Sequence, residues 1–193
     1  MDTLYAKIAV LLNLLGLLMI RWPHGNRISV LKIDDDRKNG REIALLAIAG
    51  IGTTLIPVIW LVSPLFDYAE YPLHPGAYWP GLAITLFGLW LFHRSHAGLG
   101  LLWSVTLQLR EEHKLVTTGI YSRVRHPMYS ALLALGIAMA LTLPNWFAGP
   151  AYLTSFCILY LLRISNEEQM MRDRFGGDYD AYCQRTGRLI PKW

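Results

Sequence analysis

Charge is scarce in this chain. Asp, Glu, Lys and Arg make up only 17% of its 193 residues, where a soluble globular domain carries about one-quarter. With 53% hydrophobic residues and a mean hydropathy of +0.30, a soluble domain is a poor description. Cysteine is nearly absent. The two present are Cys157, inside an apolar run, and Cys183, in a polar tail. They fall in different compartments, so a disulfide framework is not expected. The apolar runs also lack ionisable residues at their centres, which a transporter would more often carry at the membrane midplane. Aromatic and basic residues are not interleaved on any soluble module, so the net charge of +4 does not point to nucleic acid. There is no internal repeat and no low-complexity segment.

What is present is a series of five apolar runs: Leu4–Ile20, Ile43–Val62, Tyr78–Phe92, Tyr129–Leu143 and Trp146–Leu162. A helix crossing a bilayer needs roughly 17–25 apolar residues. The first, second and fifth runs qualify alone, and the third and fourth need flanking residues or a thin local bilayer. The first run has a weak basic n-region and no small-x-small cleavage site before Arg21-Trp22-Pro23, so it reads as an uncleaved helix. The predicted fold is all-α: a polytopic membrane protein of about five transmembrane helices. The last two form a hairpin, followed by an amphipathic C-terminal helix. Residues 1–100 supply N-terminal membrane helices and 101–193 the chemistry, within one integrated domain.

The charges are asymmetric. Seventeen of the eighteen Lys and Arg residues lie on one side of this topology, and only Lys7 lies on the other. The positive-inside rule then places the N-terminus outside and the C-terminus in the cytosol. Asp34-Asp35-Asp36-Arg37-Lys38 reads as a solvated loop tip.

The informative polar residues fall in 94–126 and 163–193, both cytosolic on this reading. In "EEHKLVTTGIYSRVRHPMY", Gly119 suits a backbone position of positive φ or close approach to a ligand. Pro127 suits the first turn of a helix. Arg123, Arg125 and His126 stand beside that helix N-terminus, forming a site suited to a carboxylate or phosphate. Ordinary membrane anchoring of the two arginines is the competing reading. In "LYLLRISNEEQMMRDRF", Arg163 and Glu167 share a helix face at i, i+4. Either they form a surface ion pair, or Arg163 holds a carboxylate bidentately while Glu167 accepts from an amine or hydroxyl. Glu168 lies about 100° around the helix and is expected in solvent. The tail "RFGGDYDAYCQRTGRLIP" reads as a Gly-Gly turn and a short helix that lies on the membrane surface and covers a site. His93 and His96 have i, i+3 spacing but no third ligand nearby, so no metal site is assigned.

The order "HKLVTTGIYSRVRHPMY", a helical hairpin, "RISNEEQ", then "FGGDYDAYCQRTGRLIP" resembles the isoprenylcysteine carboxyl methyltransferase family of integral membrane enzymes. The resemblance covers about the last 90 residues. It implies S-adenosylmethionine as methyl donor, bound on the cytosolic side, with S-adenosylhomocysteine as product. His113, Lys114, Leu115 and Val116 would line that cofactor, with Tyr121, His126, Pro127, Met128, Tyr129 and Glu167; Gly119 stands among them. Arg163 would face the substrate. The family also has a polar cofactor contact upstream, for which spacing offers Thr106 and side-chain type offers Gln108.

The reaction this implies is in-line methyl transfer to the carboxylate of an isoprenylated cysteine or similar lipophilic substrate. Arg163 would orient the carboxylate and Glu167 would fix the donor. Membrane lipids are the expected surroundings. Rival readings are a phospholipid or amine N-methyltransferase, an NADPH-dependent membrane reductase on a related C-terminal scaffold, and a non-catalytic membrane scaffold or small transporter.

Overall fold

The computed structural model describes residues 2–25, 33–110 and 114–192. The first helix, α1, spans Thr3–Gly25. A short strand β1 (Ile33–Asp36) precedes α2 (Gly40–Gly50), which runs through a π-helical turn at Ile51–Leu55 into α3 (Ile56–Val62). Then come α4 (Pro75–Leu99), strand β2 (Gln108–Arg110), α5 (Pro127–Thr142), α6 (Ala148–Phe175) and α7 (Gly177–Arg185). The five apolar runs therefore become five helical segments. Three are both long and apolar enough to cross a membrane: 3–23, 40–62 and 148–175. These are the three whose runs suffice by themselves. Helix α5 is a shorter apolar helix, and α4 reaches 25 residues by recruiting flanking residues at both ends.

The helix boundaries follow from local chemistry. Asn39 caps α2 by accepting from Glu42 N at 2.9 Å, and His74 caps α4 by accepting from Gly76 N at 3.0 Å. These bonds satisfy N–H groups that have no intrahelical partner. Pro127 opens α5, as its fixed φ and missing donor allow. Asn145 turns the α5–α6 hairpin, its Oδ1 accepting from Phe147 N and Ala148 N at 3.1 and 3.0 Å.

Helix α5 is the centre of the bundle. It packs on α4, α6 and α1, and Leu135, Ala138 and Met139 are fully buried. Asn13 of α1 donates to Leu135 O at 3.4 Å. The α2–α3 segment leans on α6 instead. Contact there is close: a Cβ on Gly52 would collide with the Ser155 side chain and sit 2.6 Å from Ala151 O, so only glycine fits.

One reading of the sequence is corrected here. The Asp-rich segment is largely exposed, as expected, but it is a strand and not a loop tip. It is β1, paired antiparallel with β2 and tied to α6 by Asp34–Arg174 and Arg37–Asp173 contacts, both 2.8 Å. The tail forms helix α7, with Tyr179 and Tyr182 buried. After it, Arg125 N and His126 N donate to Gly187 O and Arg188 O at 2.8 and 3.0 Å.

Candidate active site

Between α1, α2–α3 and α6 lies a cavity of about 1130 Å³. One end is polar, lined by 103–108, 114–116, 125–129, Tyr121, Arg163, Glu167, Tyr179 and Tyr182. The other is an apolar arm walled by leucines of α1 and by Leu46, Val58, Leu61, Val62, Phe156 and Leu159. Along the second membrane helix the lining runs from Leu46 to Val62, the last residue of α3.

Glu167 stands in the polar end. Its Oε2 accepts from the Tyr129 hydroxyl at 2.5 Å. Its Oε1 lies 3.6 Å from His126 Nδ1, and Arg163 Nε is 3.8 Å from Oε2. Arg163 is buried and has two further partners: Glu42 Oε1 at 3.1 Å and the Val105 carbonyl at 2.9 Å. Its Nε has no hydrogen-bond partner among the described residues.

Glu168 is the main correction. It is 1% exposed, not solvated. Arg188 grips it with Nε at 3.0 Å and Nη2 at 2.7 Å, and Arg125 adds Nη2 at 3.2 Å and Nε at 3.3 Å. The expected turn of about 100° carries Glu168 away from the cavity but into the tail, which folds back over α6. His126 Nε2 lies 3.4 Å from Glu168 Oε1, so this one imidazole sits between two adjacent glutamates. Burial opposes charge on His126, but the two carboxylates outweigh it and raise its pKa above the ordinary value.

The cationic cluster at the start of α5 is therefore largely neutralised within the protein. Arg125 is engaged by Glu168 and by the carbonyls of Thr186 and Cys183. Arg123 is exposed and does not line the cavity. Burial pushes the Tyr182 phenol up to about 12, so it stays a donor, to Tyr121 O at 2.6 Å.

Of the cofactor residues suggested by the sequence, Lys114, Leu115, Val116, Tyr121, His126, Pro127, Met128, Tyr129 and Glu167 all line the one cavity, as does Arg163. Gly119 does not. It has the expected positive φ of 61° but borders a separate hollow of about 230 Å³ with Arg94 and Thr118. His113 lies outside the described residues. Thr106 and Gln108 both line the cavity, and Gln108 Nε2 already donates to Asp36 at 2.9 Å. Sequence reasoning missed Glu42. Its signal was a carboxylate in the first turn of a membrane-grade helix, which calls for a partner.

Comparison with known proteins yields a consistent set of likenesses. A family model described as "Isoprenylcysteine carboxyl methyltransferase (ICMT) family" matches residues 81–173. The protein-S-isoprenylcysteine O-methyltransferase B of Arabidopsis thaliana is 30% identical over 139 residues, covering 68% of this chain and 71% of that protein. The cobalt-zinc-cadmium resistance protein CzcN of Cupriavidus metallidurans is 30% identical over 138 residues, 69% of this chain and 62% of its own. A solved structure of the eukaryotic intramembrane Ras methyltransferase ICMT superposes with a TM-score of 0.53 at 26% identity, covering 77% of this chain. This chain spans half the length of that structure and half of the probable protein-S-isoprenylcysteine O-methyltransferase of Oryza sativa subsp. indica.

Proposed function

The chain belongs to the isoprenylcysteine carboxyl methyltransferase family, and from that premise we propose that it methylates the carboxylate of an isoprenylcysteine or similar lipophilic substrate at the cytosolic membrane face, with S-adenosylmethionine as donor. One observation carries the reading. A single cavity joins a polar end containing Glu167, Tyr129, His126 and Arg163 to an apolar arm along the second membrane helix. A volume of about 1130 Å³ exceeds the roughly 300–1,000 Å³ of ordinary ligand pockets, leaving space for a donor and a lipid chain together.

The residues suit the donor. Lys114, Leu115, Val116, Tyr121 and 126–129 would line it, and Glu167 would accept from its ammonium or ribose hydroxyls. Bound there, S-adenosylmethionine supplies an electrophilic methyl group on a sulfonium. A substrate carboxylate is ionised at neutral pH, so no general base is required. Arg163 would orient it, part of its charge being balanced by Glu42. Protonated His126 would keep Glu167 and Glu168 from repelling each other. The tail folded over 124–126 would shield the polar end from water, where alignment and dehydration favour transfer. The lipid chain would enter sideways from the bilayer. The distribution of basic residues supports an outside N-terminus and a cytosolic site.

The test is binding of S-adenosylhomocysteine to the full chain in nanodiscs, beside NADPH. We expect saturable binding of the former, weakened by Glu167→Ala, and loss of turnover with retained binding in Arg163→Ala. Failure of the folded wild-type protein to bind S-adenosylhomocysteine would overturn the reading.

A further inference from the structure

Four Lys and Arg side chains line the large cavity: Arg21, Lys114, Arg125 and Arg163. Arg125 is neutralised by Glu168, and Arg163 by Glu42 and Glu167. Lys114 sits in an exposed loop outside the helices. Arg21 differs from all three. It belongs to the last turns of the membrane helix α1, and it lines the cavity beside Leu14, Leu17 and Leu18 of the same helix. Among the described residues no carboxylate lies within ion-pairing distance of it.

A cation at the cytosolic end of a membrane helix ordinarily turns outward toward the head groups. The Arg21 side chain is not enclosed, yet its guanidinium lies over the face of Trp103, with the carbon 5.4 Å from the ring centroid. That indole is fixed. Trp103 is 4% exposed, donates Nε1–H to Met128 Sδ at 3.3 Å, and packs on His96 at 4.8 Å. Tyr152 also lines this cavity. It is fully buried, and its hydroxyl has no hydrogen-bond partner among the described residues. A braced guanidinium fork and a spare hydroxyl donor match a carboxylate.

We propose that Arg21, braced on Trp103 and assisted by the Tyr152 hydroxyl, is a carboxylate-binding residue of this site. The inference rests on the methyl-transfer reading, which supplies two carboxylates of the same chemistry: that of the donor's amino-acid moiety and that of the prenylcysteine. Arg163, already balanced twice, then acts as an orienting group, and Arg21 supplies the uncompensated charge.

The test uses the full chain in nanodiscs with Arg21→Gln, Arg21→Lys and Tyr152→Phe. Arg94→Gln serves as control, an exposed cation near the end of α4 that does not line this cavity. Calorimetry gives the affinity for S-adenosylhomocysteine, and for N-acetyl-S-farnesylcysteine beside its carboxamide. Arg21→Gln is expected to weaken one of the two acids by about ten- to a hundredfold, the range for lost hydrogen bonds to a charged group. Arg21→Lys recovers part of that loss, Tyr152→Phe loses about fivefold, and carboxamide binding holds within about twofold. Weaker S-adenosylhomocysteine with an unchanged acid-to-amide ratio assigns Arg21 to the donor. A collapsed ratio with unchanged S-adenosylhomocysteine assigns it to the substrate. If neither moves, or Arg94→Gln moves them equally, Arg21 is a membrane anchor and the proposal is overturned. Wild-type protein that binds neither acid overturns the methyl-transfer reading, and this proposal with it.

Discussion

Replacing Glu168 with alanine tests how the polar end is held together. Removing one partner of a buried ion pair costs about 3–5 kcal/mol, because the other charge is left uncompensated. Two features reduce that figure. Arg188 is 49% exposed, so water takes over its solvation and its share falls toward the surface-pair value of about 0–1 kcal/mol. Arg125 keeps the carbonyls of Thr186 and Cys183. His126 has no such reserve: it is 8% exposed and, among the described residues, retains only the Glu167 carboxylate at 3.6 Å. The expected loss is therefore at the low end, about 3 kcal/mol. For a chain of this size 1 kcal/mol corresponds to about 2–4 °C, so Tm should fall by about 6–12 °C. The assay is thermal unfolding in one fixed detergent, with Asp178→Ala as an exposed-carboxylate control and limited proteolysis reporting release of 186–192. A shift no larger than the control's, with the tail still protected, would refute the reasoning.

Three further outcomes are expected. His126→Gln should cost stability that depends on pH: a raised pKa makes the contribution complete below about pH 6.5 and lost as pH climbs through the folded-state value. The Tm difference from wild type should shrink on going alkaline; a flat difference would sink the idea. Gly52→Ala should destabilise by about 1–3 kcal/mol, because the new methyl meets Ser155 and the Ala151 carbonyl; Ser155→Ala in the same chain should recover part of the Tm, and no recovery would place the strain elsewhere. In a double-mutant cycle, Glu42→Gln and Arg163→Gln should show a coupling of about 0.5–3 kcal/mol, read from denaturation midpoints; additive losses would mean that the 3.1 Å contact contributes nothing.

The membrane helices were legible because their signal is compositional: a run of apolar residues must be buried in lipid or protein. The cavity residues around 114–129 were legible through a resemblance along the chain. What stayed hidden was pairing across the fold. Nothing near Glu42 in sequence says that its partner stands at 163, and nothing at Glu168 says that the tail returns to cover it. Helical periodicity gave its direction correctly but cannot say what lies there. The strand at 33–36 was concealed for the same reason. Its three acidic residues look like a loop tip until β2 pairs with them, with Arg174 meeting Asp34 and Asp173 meeting Arg37 from α6.

The backbone seam between 123–126 and 186–189 also has a bearing on biosynthesis. Its two halves are far apart along the chain: the Tyr121–Tyr182 contact spans 61 residues and Ser130–Leu189 spans 59. Between them lies the entire α5–α6 hairpin. During translation the first half emerges and must wait while that hairpin is inserted into the bilayer. Arg125 and His126 cannot meet Glu168 and the tail until insertion is complete. The polar end of the cavity is thus among the last parts of the molecule to form, and a half-inserted chain has no assembled ligand site.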